Sequence, residues 1–210
     1  MISAVLLAAG SARRFGGSQK LLASVPHEDT RIPLVQLSVL CLLAANLERI
    51  LVVVRTEGES VRGCLSGLPV EVVANVEAAT GMSSSLRLGV AEATRRWPES
   101  EGILIALGDQ PIVEREIIDT LVTQLSTRGA DGCAPAIVAP RFQGQLGTPV
   151  LFTLPMVPEL LALRGDHGAR SVVERDPSRV RFVDFDRPPP LDVDTPTDLA
   201  SLTSELRPSR

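Results

Sequence analysis

Runs of apolar residues alternate with amphipathic stretches along almost the whole chain. The apolar runs predict strands at residues 2–7, 50–55, 70–74, 102–107, 133–138, 149–152 and 180–185, with a turn at 143–147. The amphipathic stretches predict helices at residues 34–47, 83–96, 114–128, 155–163, 169–175 and 196–206. Continuously apolar strands that alternate with helices are typical of a mostly parallel sheet covered on both faces. The pattern therefore predicts an α/β fold whose ligands bind beyond the carboxyl ends of the strands.

Length and composition suit one folded domain, and we take residues 1–210 as that domain. Hydrophobic residues make up 44% of the chain and charged residues 22%, which is enough apolar surface for a core. The net charge is −4 and the basic residues are scattered, so no nucleic-acid-binding surface is expected. Three cysteines without a paired spacing favour a reducing, cytoplasmic compartment, and no apolar run approaches membrane-spanning length.

The most distinctive segment follows the first predicted strand. Residues 7–20 read LAAGSARRFGGSQK and combine three glycines with Arg13, Arg14 and Lys20. Glycine lets backbone N–H groups approach phosphate oxygens closely, and the three cations offset phosphate charge. The spacing matches neither the G-x-x-x-x-G-K-[ST] nor the G-x-G-x-x-G phosphate loop. The segment predicts a polyphosphate site, and the alternative is a surface turn with incidental arginines.

Two later segments supply carboxylates. Asp109 lies in GDQP, directly after an apolar strand, where a carboxylate can hold Mg²⁺ against phosphate oxygens. The alternative for Asp109 is a turn or helix-capping role. Asp192 and Asp194 alternate with apolar residues and face one side of an extended segment, whereas Thr195 fits the N-cap of a helix. Together, the carboxylates predict a site for a divalent ion.

Two further motifs contain glycine. Residues 81–86, GMSSSL, place hydroxyls and free N–H groups at a predicted helix start, which suits an anion or a ribose. Residues 165–170, GDHGAR, either offer Arg170 to an anionic second substrate or only cap the next helix. The capping role is the better explanation of Asp166, and the role of His167 stays undecided.

Six motifs in order resemble the MobA-like nucleotidyltransferases. They are LAAGSARRFGGSQK, GMSSSL, GDQP, GTP at residues 147–149, GDHGAR and DVDTPTDL, and they extend over nearly the whole chain. One motif such as GDQP is weak, but six in sequence are specific. The chain most resembles the molybdenum cofactor cytidylyltransferase branch. The resemblance implies a Rossmann-like three-layer sandwich of the glycosyltransferase-A type, which uses CTP or GTP with Mg²⁺ to cap the molybdopterin phosphate and releases pyrophosphate.

The resemblance also implies roles for individual residues. Arg14 and Lys20 would hold the triphosphate and steady the departing pyrophosphate. Asp109 would bind Mg²⁺ with help from Asp194, so Arg14, Lys20 and Asp109 are the expected catalytic residues. Residues 165–170 would lie towards the pterin. The residues expected to border the nucleotide are Leu7, Ala8, Ala9, Gly10, Lys20, Gly81, Ser83, Ser84 and Ser85.

Two positions bear on the choice of substrate. Ala9 stands where a guanylyl-type loop carries a second glycine, and a smaller base leaves room for the alanine methyl, so CTP is preferred to GTP. Thr148 stands where the cytidylyl branch often has histidine, which affects the contacts expected on the pterin side. The expected partners are CTP or GTP and a molybdopterin-type phosphate, with a molybdoenzyme or its chaperone considered as recipient of the product.

Other functions stay open at this point. The protein could transfer a nucleotide from GTP or to a sugar phosphate, reduce a dye with NAD(P)H, or carry a nucleotide without turnover. The absence of G-x-G-x-x-G and of a flavin motif counts against the reductase. The presence of Arg14, Lys20 and Asp109 counts against a carrier.

Overall fold

The computed structural model describes residues 1–10, 15, 20–56, 59–128 and 134–206. Within these residues, an eight-stranded sheet forms the centre of the molecule and a two-stranded hairpin lies beside it. The strands are β1 (Ile2–Ala8), β2 (Ser24–His27), β3 (Thr30–Pro33), β4 (Arg49–Arg55), β5 (Glu71–Asn75), β6 (Gly102–Leu107), β7 (Ile137–Phe142), β8 (Gln145–Leu146), β9 (Val150–Thr153) and β10 (Val180–Phe185).

Helices connect most of these strands. They are α1 (Leu34–Leu43), α2 (Glu59–Cys64), α3 (Met82–Arg96), α4 (Arg115–Ser126), α5 (Val157–Ala162), α6 (Arg170–Arg175) and α7 (Pro196–Glu205). Short 3₁₀ turns occur at Lys20–Leu22, Ala78–Thr80, Leu154–Met156 and Pro177–Arg179. Among the described residues, no helix combines the length and apolar character needed to cross a bilayer.

The strand order of the central sheet is β10-β7-β9-β6-β1-β4-β5, with β8 paired to β7. The pairs β1–β4, β1–β6, β4–β5 and β7–β10 are parallel, whereas β9 runs antiparallel to both β6 and β7. Because side chains alternate along each strand, the sheet has two apolar faces. One face packs against α1, α2, α4 and α7, and the other against α3, α5 and α6. The result is a three-layer α/β sandwich with a mostly parallel sheet, which confirms the predicted fold class.

Several predicted elements have different bounds in the structure. The strand predicted at 133–138 exists with different bounds, because the observed β7 begins at Ile137 and runs past Pro140 to Phe142; residue 133 lies outside the described residues. Proline usually marks a strand end because it lacks a ladder N–H, but here the pairing of β7 with β10 continues past Pro140 to the last residues of both strands, Phe142 and Phe185, whose rings stack with centroids 5.4 Å apart. The helix predicted at 34–47 is shorter in the structure, because α1 ends at Leu43. The hairpin β2–β3 and helix α2 had not been predicted, and the predicted turn at 143–147 contains β8.

Candidate active site

A cavity of about 650 Å³ opens at the carboxyl ends of β1, β4 and β6, beside the amino end of α3. This is the edge at which α/β sheets bind ligands, because the chain leaves the strands there on its way to the helices. The lining residues are Leu7, Ala8, Ala9, Gly10, Lys20, Leu21, Arg55, Ala78, Ala79, Thr80, Gly81, Met82, Ser85, Leu107, Asp109, Asp166 and Asp194.

One end of the cavity is a cluster of a lysine and two aspartates. The Lys20 ammonium donates hydrogen bonds to Asp109 Oδ2 at 2.9 Å and to Asp194 Oδ1 at 3.0 Å. The Lys20 side chain is 8% exposed, whereas those of Asp109 and Asp194 are 33% and 46% exposed. Burial lowers the pKa of Lys20, but the two carboxylates outweigh burial and the pKa is raised. Lys20 is therefore a protonated cation that draws both carboxylates towards one point.

The two carboxylates are adjacent because the chain after β10 returns to the end of β6. The Val193 N–H donates to the Asp109 carbonyl at 2.9 Å, which sets Asp194 beside Asp109. The next residues start α7 with a capping box, in which Thr195 and Asp198 each bond the other's backbone N–H. The Asp194 N–H also donates to the Asp198 carboxylate at 3.0 Å. The backbone at Asp194 is thus fixed on both sides.

The loop that carries Asp109 is packed tightly against the end of β1. The Gly108 N–H donates to the Leu7 carbonyl at 2.9 Å, and the Ser38 hydroxyl donates to the Gly108 carbonyl at 3.0 Å. A Cβ atom at Gly108 would lie 3.2 Å from the Ala8 Cβ, a distance that leaves little room for any larger residue. Gly108 therefore allows the Asp109 loop and the end of β1 to approach each other.

The buried Gln110 side chain ties the acidic segments to a third loop. Its Oε1 accepts a hydrogen bond from the Thr148 hydroxyl, and its amide bonds the Asp192 carboxylate. Burial raises the pKa of Asp192, and the negative charges of Asp109 and Asp194 raise it further, against the hydrogen bond from Gln110. Thr148, the position linked above to pterin-side contacts, is part of this network.

Asp109 and Asp194 fit the donor set of a hard divalent cation. Their oxygens each lie within 3.0 Å of the same Lys20 nitrogen, so they converge on one position. Within the described part of the chain, no group of three or more His, Cys, Asp or Glu side chains is arranged to hold a metal. Mg²⁺ is commonly held by one or two carboxylates together with substrate phosphates and water. Asp109 and Asp194 would hold such an ion, which supplies charge stabilisation at phosphate oxygens when bound.

The serines at the start of α3 have two different roles. The Asn75 amide donates to the hydroxyls of Ser84 and Ser85 at 2.9 Å each, and the Ser84 hydroxyl also bonds the Gly81 carbonyl at 2.9 Å. Ser83 and Ser84 are buried and do not line the cavity, whereas Gly81 and Ser85 do. Of the residues expected to border the nucleotide, Ser83 and Ser84 thus lie behind the cavity wall.

The motifs at residues 81–86 and 165–170 pack directly on each other. Gly81 has a φ of +119°, and a Cβ atom there would lie 2.4 Å from the Gly165 carbonyl oxygen. The Met82 N–H at the start of α3 donates to the Asp166 carboxylate at 3.2 Å. Asp166 therefore caps α3, a helix distant in sequence, and not the helix that follows it.

The remaining predicted residues fall into three groups. Arg13 and Arg14 lie outside the described residues. Arg170 does not line the cavity and pairs with Glu174 of its own helix at 2.7 Å, and His167 is exposed. Leu7, Ala8, Ala9 and Gly10 line the cavity, as do Lys20, Asp109 and Asp194.

Sequence reasoning missed several residues of the lining. Arg55 and residues 78–80 line the cavity but had no predicted binding role, whereas Asp166, which also lines it, belongs to residues 165–170, expected towards the pterin. Arg55 gave one recognisable signal, because it is a charged residue at the carboxyl end of a strand that is otherwise apolar. Residues 78–80 are small and carry no such signal, since their position depends on the turn between β5 and α3.

Comparison with known proteins identifies the family to which the sequence is related. A profile of the family described as the MobA-like NTP transferase domain matches residues 4–180. The chain is 29% identical over 180 residues to the purine catabolism protein PucB of Bacillus subtilis, with 81% of this chain and 79% of PucB covered. It is 27% identical over 197 residues to the nicotine blue oxidoreductase of Paenarthrobacter nicotinovorans, with 92% of each chain covered.

The solved structure of Rv0371c from Mycobacterium tuberculosis has the same architecture. The TM-score is 0.76, the sequences are 30% identical, and 97% of each chain is covered. A second structure of Rv0371c is a complex with manganese. Because the family profile extends over residues 4–180, the chain belongs to the MobA-like NTP transferase family and is a nucleotidyltransferase.

Proposed function

We propose that the protein transfers CMP from CTP to the phosphate of a molybdopterin-type cofactor with release of pyrophosphate. The observation that carries the proposal is the convergence of Lys20, Asp109 and Asp194 at one end of the cavity. This cluster combines a buried cation with two carboxylates, which suits a triphosphate and a divalent ion. The manganese complex of Rv0371c supports metal dependence, and we propose Mg²⁺ as the ion.

The reaction requires no protein nucleophile. An oxygen of the acceptor phosphate attacks the α-phosphorus of CTP, the bond from that phosphorus to the β-phosphate's bridging oxygen breaks, and pyrophosphate leaves. Such transfers depend on positioning and charge neutralisation. Lys20 has three N–H donors and can bond phosphate oxygens as negative charge moves onto the leaving group. Arg14 is proposed to act on the same group.

The choice of CTP as the nucleotide and of molybdopterin as the acceptor is supported by separate observations. Ala9 lines the cavity beside Ala8 and Gly10, and its methyl favours a pyrimidine over a purine. The molybdopterin-type acceptor, and a molybdoenzyme or its chaperone as recipient, follow from the motif resemblance. We propose a cytoplasmic location, and residues 1–210 as a single nucleotidyltransferase domain, on the composition given above.

The test is pyrophosphate release with CTP, GTP, UTP or ATP, Mg²⁺ or Mn²⁺, and either molybdopterin or a sugar phosphate. We expect CTP with molybdopterin to be the best pair. Asp109→Asn should lower the rate at least about 100-fold, because metal-assisted charge stabilisation contributes several kcal/mol. Asp184→Asn is the control, since Asp184 pairs with Arg141 on the surface and does not line the cavity. Full activity of Asp109→Asn would refute the metal assignment, and preference for a sugar phosphate would replace the acceptor.

A second candidate function is NAD(P)H-dependent dye reduction, because a nicotine blue oxidoreductase is 27% identical over 92% of the chain. This reaction needs no triphosphate and no divalent ion. Oxidation of NAD(P)H by a dye in the presence of a chelator, without pyrophosphate release from any nucleotide, would favour it over nucleotidyl transfer.

A further inference from the structure

Gln110 is a buried polar residue to which the reaction described above gives no part. It follows Asp109 directly, and its side chain reaches two segments that are distant in sequence. Its Oε1 accepts a hydrogen bond from the Thr148 hydroxyl, and its amide NH₂ bonds the Asp192 carboxylate. Gln110 therefore joins the loop after β6 to the loop before β9 and to the segment before α7.

Asp192 sets the orientation of the Gln110 amide. An ionised carboxylate has hydrogen-bond acceptors and no donor, so the NH₂ group of Gln110 faces Asp192. The carbonyl oxygen of the same amide then faces Thr148, and an amide oxygen accepts but does not donate. The Thr148 hydroxyl has a single proton, and its bond to Gln110 uses that proton. Towards any other group, Thr148 therefore offers lone pairs and no donor.

Thr148 lies beside the carboxyl end of β6, on the β9 side. Val150 of β9 pairs with Ile105 of β6 and the two strands are antiparallel, so the residues before Val150 lie next to the last residues of β6. In the order β9-β6-β1-β4, the cavity extends from β6 towards β4, whereas Thr148 lies in the opposite direction. Thr148 is half-buried and does not line the cavity.

The β9 side is the side left for a second substrate. In nucleotidyl transfer the attacking oxygen and the leaving pyrophosphate lie roughly in line on opposite sides of the α-phosphorus. A nucleotide whose phosphates meet Lys20 and Asp109 occupies the cavity over β1 and β4. The phosphate of the acceptor would then meet the nucleotide at the metal ion, and the body of the acceptor would lie towards Thr148.

The metal-binding carboxylates have supports that do not involve Gln110. The Val193 N–H donates to the Asp109 carbonyl at 2.9 Å, and the Asp194 N–H donates to the Asp198 carboxylate at 3.0 Å. Loss of the Gln110 amide should therefore affect Thr148 more than the metal site. This separates an effect on the binding of the second substrate from an effect on the chemical step.

We propose that Gln110 is a positioning residue that makes Thr148 a hydrogen-bond acceptor for the second substrate. This inference rests on the proposed function. The site then selects a substrate that carries a neutral N–H or O–H donor at this point, such as the edge of a heterocyclic ring, and disfavours an anionic group there. An anion has no proton to donate to Thr148, and the lone pairs of the hydroxyl oxygen repel it.

The first test measures KM, kcat and calorimetric Kd for molybdopterin, with Mg²⁺ and a non-hydrolysable CTP analogue in the binding experiment. Thr148→Val should raise KM and Kd about 5- to 10-fold, as expected for one neutral hydrogen bond, and change kcat less than about threefold. Thr148→Ser should restore wild-type binding. Gln145→Met is the control for substitutions at Gln110, because Gln145 is exposed on β8 and does not line the cavity.

Competition by inorganic phosphate against molybdopterin tests the direction of the hydrogen bond. Gln110→Met keeps the side-chain length but leaves the Thr148 hydroxyl free to turn its proton outwards. The inhibition constant of phosphate should then fall about fivefold. In Gln110→Met/Thr148→Val it should equal that of Thr148→Val, because Gln110 acts through Thr148. If Gln110→Met does not fold, Asp192→Asn replaces it, since an amide at residue 192 lets the Gln110 amide turn over, and the same dependence on Thr148 is expected.

Unchanged phosphate inhibition in Gln110→Met, or an equal fall in the double variant, would overturn the role of Gln110. A loss of kcat without a change in KM would assign it to the metal site instead. If the wild type binds molybdopterin without transferring CMP, the proposed function fails while the Kd values and phosphate competition still decide the role of Gln110. If neither molybdopterin nor a sugar phosphate binds, both the proposed function and this role are wrong.

Discussion

Replacing Lys20 with methionine tests how the acidic end of the cavity is held together. Methionine keeps the length and apolar stem of lysine but removes the ammonium that lies between Asp109 and Asp194. The two carboxylates then lose the Lys20 ammonium that lies between them. We expect the variant to be less stable in metal-free buffer and to regain that stability when a divalent ion takes the same position.

The structure sets the size of this effect. Ion pairs between exposed side chains contribute about 0–1 kcal/mol, and breaking a buried pair costs about 3–5 kcal/mol. Lys20 is 8% exposed while its partners are 33% and 46% exposed, so the cluster lies between these limits. We expect a loss of about 2 kcal/mol, which corresponds to a fall in Tm of about 4–8 °C for a chain of this length.

The assay is thermal unfolding of the wild type, Lys20→Met and Lys20→Arg, each with a chelator and with saturating MgCl₂. Lys20→Arg is the matched control because it keeps the positive charge between the carboxylates. Mg²⁺ should raise the Tm of Lys20→Met more than that of the other two proteins, since the residue-20 cation no longer competes with the ion there. An equal Mg²⁺ shift in all three proteins would show that Lys20 and the ion do not share Asp109 and Asp194.

Two further predictions concern stability. Gly81→Ala should lower the free energy of unfolding in urea by about 3 kcal/mol, because the positive φ of Gly81 and its contact with the Gly165 carbonyl both oppose a side chain. Gly67→Ala is the control: Gly67 has a positive φ but no such contact, so the loss should be smaller. Partial burial raises the pKa of Asp119, but the Asn46 N–H and a nearby guanidinium outweigh it and the pKa is lowered. Asp119→Ala should therefore cost about 1 kcal/mol near pH 7, and the difference should vanish as the pH falls through the lowered pKa; a constant difference at acidic pH would contradict this.

Local pattern determined much of the fold. The strands at 102–107 and 180–185 have the predicted bounds, and α3 begins one residue before its predicted start. These elements follow directly from apolar periodicity, because each buries its apolar residues wherever it packs. The bounds of the strand predicted at 133–138 were wrong because the position of β7 depends on pairing with β9 and β10, which are distant in sequence. The hairpin β2–β3 was missed because its short strands have little apolar pattern of their own.

The candidate site likewise combines residues that the sequence predicts with contacts that only the structure shows. From sequence alone, a glycine-rich cationic segment and two acidic strand ends indicated a phosphate and metal site, since their residue types carry that chemistry wherever they lie. Only the tertiary structure decided that Lys20 bonds Asp194, which is 174 residues away, and that Arg55 comes to lie beside Ala9. Strand order, register and the alternation of side chains control which residues meet at one sheet edge, and these are properties of the assembled sheet rather than of any local segment.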